Sequence, residues 1–289
     1  MPVTNQEHTT CGFLLLEHTS LLPFFVSDLI PIYSISKPFL AEAVIALDIP
    51  LDSEIGQYVQ GLHDCYKTRR ISDLLNHTSG LDDYGDMPEY QEAVKEGKPA
   101  WERELLLAKA SIRTHNNEGF RYSNIGYLLL VMLIEKETQL SYFDAITKLV
   151  LIPLDIRSFE PWLSKHSSIP NYDPNWVYSG TFLGDPKTIA SSLMKLARHR
   201  HDLMGLRAGL TQLSYLDTGF EEPGYGFGFM TDGGWSNSEP RFVGHGGGGP
   251  GFNLMALVNT SNWKSELIYS TGDFVQSMAI TELIKKIGD

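Results

Sequence analysis

Apolar and polar positions alternate with a period of two near both ends of this chain, and recur every three to four residues between them. Gly12 to His18 and Leu21 to Ser27 read as two short strands joined tightly around Thr19-Ser20. Ala41 to Leu47 is a run of strong helix formers that must stop before Ile49-Pro50. Ser53 to Val59 and Arg70 to Asn76 predict short helical pieces, with Gly80 as a stop or turn glycine. Asp82 to Ala100 is acidic and turn-rich and reads as a surface excursion. Trp101 to Ile112, the apolar run from Tyr127 to about Glu137, Tyr142 to Leu151, and Pro186 to His199 all carry helical periodicity.

The character changes beyond about residue 220. Tyr225 to Met230 alternates like a strand, and Thr231-Asp232-Gly233-Gly234 reads as a hairpin turn. Arg241 to His245, Phe252 to Asn259 and Glu266 to Ser270 predict further strands, and Asp273 to Ile287 an amphipathic closing helix. Strands at both ends with helices between them predict an α/β (α+β) fold. One antiparallel sheet would draw on both chain ends, flanked by helices, with a mainly helical region inserted. The expected division is 1–33 with 220–289 as a discontinuous sheet-containing domain and 34–219 as the helical one. A cleft belongs at such a junction.

Composition narrows the function. The chain has 289 residues, 42% of them hydrophobic, enough for a well-buried core. Its net charge is −12, and no Lys or Arg cluster interleaves with aromatics, which argues against nucleic acid as a partner. No Lys or Arg precedes Lys37, and Glu17, His18 and Asp28 interrupt the early apolar runs. A secretory leader needs a basic segment first, and a spanning helix about 20 apolar residues. The expectation is therefore a cytoplasmic chain without a membrane span, or a periplasmic or secreted one if a leader has been removed. Cys11 and Cys65 have no metal or redox spacing and read as thiols.

The stretch Ile32-Tyr33-Ser34-Ile35-Ser36-Lys37-Pro38 carries the candidate chemistry. Pro38 lacks an N–H and belongs in the first turn of a helix, which puts Ser34 at its mouth. Lys37 follows three residues later, on the same face. A hydroxyl there meets positive helix potential and first-turn amides, and a desolvated lysine beside it gives up its proton readily. The spacing alone is not specific, because Ser192/Lys195 and Ser261/Lys264 share it. Ser192 lies inside a helical pattern and Ser261 in the turn Asn259-Thr260-Ser261-Asn262, so only Ser34 has the right context.

Ser34-Ile-Ser-Lys37, His77-Thr-Ser-Gly-Leu81, Tyr122-Ser-Asn124-Ile-Gly126-Tyr127 and Gly244-His245-Gly-Gly-Gly-Gly-Pro-Gly-Phe252 come in an order that resembles the serine β-lactamase-related family. That family comprises class C β-lactamases, D-alanyl-D-alanine carboxypeptidases and β-lactamase-like esterases. The likeness runs from about Gly12 to the C-terminus and implies a β-lactamase/transpeptidase-like fold. It implies Ser34 as a nucleophile that forms an acyl-enzyme, Lys37 as the group that shares its proton, and Tyr122 as base or relay, its phenolate favoured by nearby positive charge. Asn124 would bind the substrate amide or hold Lys37. His245 would line the cleft, with Gly247 and Gly248 on the substrate side and the Gly248 N–H as second oxyanion donor. No metal or cofactor is implied.

Two departures bear on substrate. His245 replaces a permanent cation with a pH-sensitive one, and Gly246 removes a hydroxyl, so a carboxylate anchor is weakened. An ester or amide, cleaved in the manner of an esterase or D-amino-acid peptidase, becomes the expected substrate. A β-lactam-hydrolysing enzyme and a penicillin-binding sensor that acylates without turnover are the alternatives. Plainer readings exist as well. Ser123 or Asn124 could cap a helix, His77 could hold a turn, and His199-Arg-His201 could be a solvated helix end. Gly246 to Gly249 could be a flexible loop, but no Gly-Lys-Ser/Thr follows, and the absence of Gly-x-Ser-x-Gly argues against an α/β-hydrolase.

Overall fold

A computed structural model describes residues 29–111, 119–157, 159–163, 169–213, 218–236 and 238–288. The strand-like runs at 12–18 and 21–27 lie outside the described residues. Two antiparallel sheets appear. In the small one, β1 (Ile30–Pro31) and β2 (Phe159–Glu160) flank β3 (Leu183–Gly184). The larger is a meander of neighbours β4 (Thr211–Gln212), β5 (Pro223–Tyr225), β6 (Met230–Asp232), β7 (Phe242–Gly249), β8 (Phe252–Asn259) and β9 (Ser265–Ser270).

The helices run α1 (Ser36–Ala46), α2 (Asp64–Lys67), α3 (Ile71–Leu75), α4 (Pro88–Lys95), α5 (Arg103–Ala110), α6 (Asn124–Thr138), α7 (Tyr142–Ile146), α8 (Pro186–Met204) and α9 (Gln276–Ile287). None among the described residues is long and apolar enough to cross a membrane.

The two faces of the large sheet follow from the period of the strands. On β8, Met255 and Leu257 pack with Ala279, Ile280, Leu283 and Ile287 of α9. Leu254, Ala256 and Val258 point the other way, into the main core with Leu193, Leu196 and Ala197 of α8. Helix α1 lies deep in that core, with every residue from Ser36 to Val44 buried. A helix buried all round needs a partner for each polar side chain it carries. Glu42 meets the buried Arg200 of α8 at 2.6 Å, and Ser36 Oγ donates to the Gly180 carbonyl at 2.6 Å. Lys37 is the remaining case.

Two expectations need correction. Tyr225 to Met230 is not one strand. Gly226 N–H donates to the Phe229 carbonyl at 2.8 Å and Gly228 has φ +84°, so the hairpin turns there and Thr231-Asp232 belongs to β6. A Cβ on Gly228 would lie 2.7 Å from Ala41 Cβ and 3.0 Å from the Lys37 carbonyl, so the turn is pressed onto α1. Asp82 to Ala100 is not merely surface. Asp82, Tyr84, Met87 and Ala93 are buried, and the aromatic contacts of Tyr84 with Tyr90 and Tyr178 seat the segment in the molecule.

Candidate functional site

Tyr33–Ile35 forms a single 3-10 turn that runs directly into α1. Tyr33 sits at φ +46°, a conformation a non-glycine residue holds only where its surroundings impose it. Its hydroxyl donates to the Pro250 carbonyl at 2.5 Å, and its ring edge meets Trp162 at a centroid distance of 5.7 Å. The turn raises Ser34, partly exposed, above a buried floor. Pro38 occupies the third position of α1, where its missing N–H costs nothing.

Three segments converge on Ser34 Oγ. Lys37 Nζ is 2.9 Å away and Tyr122 Oη 3.0 Å. Lys37 Nζ also lies 2.7 Å from Asn124 Oδ1 and 3.5 Å from Ser179 Oγ. Asn124 opens α6 because Ser123 caps that helix, its Oγ accepting from Gly126 N–H at 3.3 Å and donating to the Asp82 carbonyl at 2.8 Å. The capping expectation for Ser123 and the site expectation for Asn124 are thus compatible: one residue starts the helix, and the next faces Lys37.

Burial sets the charges. Desolvation pulls Lys37 down to about 7 from the usual lysine range, against the opposing pull of Asp83. A neutral Lys37 amine accepts the Ser34 proton while donating to Asn124 Oδ1. Desolvation holds Tyr122 well above the ordinary phenol value, although its bond to Ser34 works the other way. The expected phenolate is therefore corrected: Tyr122 is a neutral phenol, and it donates to Ser34 Oγ. Ser34 Oγ thus accepts from both Lys37 Nζ and Tyr122 O–H, and when Lys37 gives up a proton its lone pair is free to take the Ser34 hydroxyl proton.

His245 is corrected in the same way. It is buried, and desolvation followed by the repulsion of Lys37 pushes it down to about 3, so it is neutral rather than a pH-sensitive cation. Its Nδ1 faces the Gly246 carbonyl at 2.6 Å, which can only accept, so Nδ1 carries the proton. Nε2 then accepts from Tyr225 Oη at 2.9 Å. By strand alternation His245 lies on the same face of β7 as Gly247 and Gly249, its ring 6.4 Å from that of Tyr122.

Gly247 and Gly249 of β7 are needed for closeness, not flexibility: all of 246–249 lie within the strand. A Cβ on Gly247 would sit 2.4 Å from the Ile32 carbonyl, and one on Gly249 2.3 Å from the Tyr33 ring. Side chains there would push β7 off the Ser34 turn. Gly248 pairs with Asn253 of β8 and lies between those two contacts.

Three participants were not foreseen. Asp83 accepts from Asn124 Nδ2 at 2.9 and 3.2 Å and from Gly85 N–H at 2.8 Å, and burial raises its carboxyl above the usual range. Ser179 and Tyr225 are the others. Asp83 stands in an acidic stretch where nothing local distinguishes it from Asp82 or Asp86. Only its Asx-turn position before Gly85 was readable.

Hydroxyl, amine and phenol brought together on this scaffold define a serine-hydrolase type of centre. The chain belongs to the Beta-lactamase family, whose model matches residues 26–273. It is 27% identical over 300 residues to penicillin-binding protein 4* of Bacillus subtilis (strain 168), spanning 91% of this chain and 64% of that protein, less than two thirds of its length. Among solved structures, a D-stereospecific amidohydrolase from Streptomyces sp. superposes with a TM-score of 0.68 at 23% identity, covering 91% of this chain and 87% of that one. The octameric penicillin-binding protein homologue from Pyrococcus abyssi gives 0.69 at 18% identity, covering 91% and 67%. At those identities the likeness establishes the β-lactamase/transpeptidase-like fold.

Proposed function

We propose that the protein is a serine hydrolase that cleaves an amide or ester through an acyl-enzyme on Ser34. The observation that supports it is the pair of contacts at Ser34 Oγ, 2.9 Å from an amine that burial keeps near neutral and 3.0 Å from a protonated phenol. Lys37 takes the hydroxyl proton as Oγ attacks the carbonyl carbon. The oxyanion is received by the N–H groups of Ser34 and Gly248. Tyr122 gives its proton to the departing nitrogen or oxygen as the bond breaks. The Lys37 ammonium, 5.1 Å from the Tyr122 ring centroid, restores the phenol. Water then hydrolyses the ester by the reverse proton route. Asn124, tethered by Asp83, orients Lys37.

His245, neutral and turned to Tyr225, offers no cation for a substrate carboxylate. This supports an uncharged amide or ester over a substrate anchored by its carboxylate, and an amide is the bond for which the D-stereospecific amidohydrolase neighbour is named. The large sheet set against the mainly helical region (34–219) fits a cleft at their seam, where Ser34 would meet substrate. Of the division expected at 1–33 with 220–289, the described strand β1 pairs with β3 of the small sheet instead of joining the large one. The relation to penicillin-binding protein 4* favours one further reading, acylation by β-lactams.

A panel of D- and L-amino-acid p-nitroanilides, a p-nitrophenyl ester and a chromogenic cephalosporin tests both, with wild type beside Ser34→Ala. Steady turnover lost in Ser34→Ala is expected for the hydrolase. A stoichiometric burst with the cephalosporin alone would favour the penicillin-binding reading. No Ser34-dependent reaction would sink both.

A further inference from the structure

His77 touches neither Ser34 nor Lys37 by any hydrogen bond, yet its hydrogen bonds hold the backbone on either side of Tyr122. Its backbone carbonyl accepts from Arg121 N–H at 2.7 Å, and its Nδ1 accepts from Ser123 N–H at 3.1 Å. The amides on both sides of Tyr122 are thus held by one residue. Its ring lies on the Tyr122 ring at a centroid distance of 4.3 Å and a 36° tilt. The ring also meets Tyr127 at 5.0 Å, Tyr225 at 4.7 Å and Phe120 at 5.8 Å, and Tyr225 is the phenol that pairs with His245 on β7.

The geometry has a cost that a plain turn residue would not need. His77 is buried at φ +61°, a left-handed conformation that glycine takes at less cost. Because Nδ1 accepts, Nε2 carries the proton, and it is buried with no hydrogen-bond partner among the described residues. A turn alone would be satisfied by asparagine at that φ. The imidazole adds a flat surface whose edge accepts a hydrogen bond, and only the Tyr122 segment uses both.

We infer that His77 is the positioning residue for Tyr122: it clamps the backbone on either side and stacks on the ring, so that the phenol reaches Ser34 Oγ. This rests on the role given to Tyr122 above, so its first test reads position rather than activity. In a crystal structure of His77→Asn, which keeps an αL-tolerant residue and an acceptor near the Nδ1 site, the Tyr122 hydroxyl should leave hydrogen-bond range of Ser34 Oγ. Tyr122 still in place in a folded His77→Asn protein would overturn the inference, whatever the protein catalyses.

The second test is a double-mutant cycle on the rate of Ser34 labelling by a fluorophosphonate. His77→Asn alone should slow labelling about 100-fold, the order of loss caused by a displacement of about 1 Å. Added to Tyr122→Phe it should slow labelling less than about twofold, because the hydroxyl it positions is already gone. Equal losses in both backgrounds would overturn the inference. A wild type that fails to label would count against the acyl-enzyme reading instead, leaving the crystallographic test to decide on His77. Should His77→Asn not fold, His77→Gln, which offers an acceptor one bond further out, takes its place in both tests.

Discussion

Two walls meet at Ser34, and they are built on opposite principles. The helical wall, from α1, the start of α6 and the Asp83 turn, contributes side chains: an amine, a phenol, an amide and a carboxylate linked by hydrogen bonds. The strand wall, β7, contributes backbone and the absence of side chains, with Gly247 and Gly249 seated against Ile32 and Tyr33. On the first wall function depends on which group is present and how it is charged. On the second it depends on whether a Cβ is absent. Substitutions should therefore fail for different reasons on the two sides.

The largest effect is expected at Lys37. Lys37→Met should lower kcat/KM by about 10²- to 10⁴-fold, as loss of a general base does. It should also raise the melting temperature, since a buried lysine held down to about 7 opposes folding. The sign is definite. Between about 7 and the unfolded value the unfolded chain holds the extra proton, so wild-type stability rises with pH across that window. Lys37→Met should lack that rise in thermal melts at a series of pH values. Activity lost without a gain in stability would separate the base role from the burial argument.

Next comes the strand wall. Gly247→Ala should lower kcat by about 100-fold through displacement of the oxyanion donors, with circular dichroism checking that the fold survives. Gly246→Ala points to the α9 side, where its Cβ meets the flexible Gln276 Oε1 at 3.1 Å, and should be nearly silent. Similar losses at 246 and 247 would break the contrast between the walls.

The pH profile follows. Lys37 must be neutral to accept a proton, so kcat/KM should fall about tenfold per unit below its value of about 7 and level off above it. His245, neutral down to about 3, should give no limb between pH 5 and 8. A descending limb in that range that vanishes in His245→Gln would restore the cationic histidine expected at first.

The smallest effect is the finest probe. The Asp83 charge raises the Lys37 value, so Asp83→Asn should move the ascending limb toward lower pH by less than about one unit. A shift toward higher pH would mean that the carboxylate acts otherwise than through its charge.

Much of this site was legible before any coordinates. Ser34 and Lys37 declared themselves because three residues along a helix is contact distance, and Pro38 marked the helix mouth. Tyr122, Asn124 and the glycine strand followed from motif order, and the geometry brings Tyr122 and Asn124 within 3.0 and 2.7 Å of Ser34 and Lys37 respectively. The turn at Gly226 to Phe229 was not legible, because the alternation of Tyr225 to Met230 suits a strand equally well. Contact with α1 and the positive φ of Gly228 decide it. Asp83 was hidden in an acidic run, and His77 stood in a motif of the family order without a role beyond a turn.

What the amino-acid order determined alone was the set of reactive groups and the local geometry that pairs Ser34 with Lys37. What only the tertiary structure decided was their charge: a nearly neutral amine, a protonated phenol and a neutral His245. Local sequence carries spacing and turn chemistry. A proton's affinity depends on how much water the whole fold removes and which distant charges it brings near, and these come from segments as far apart in the chain as Lys37 and His245.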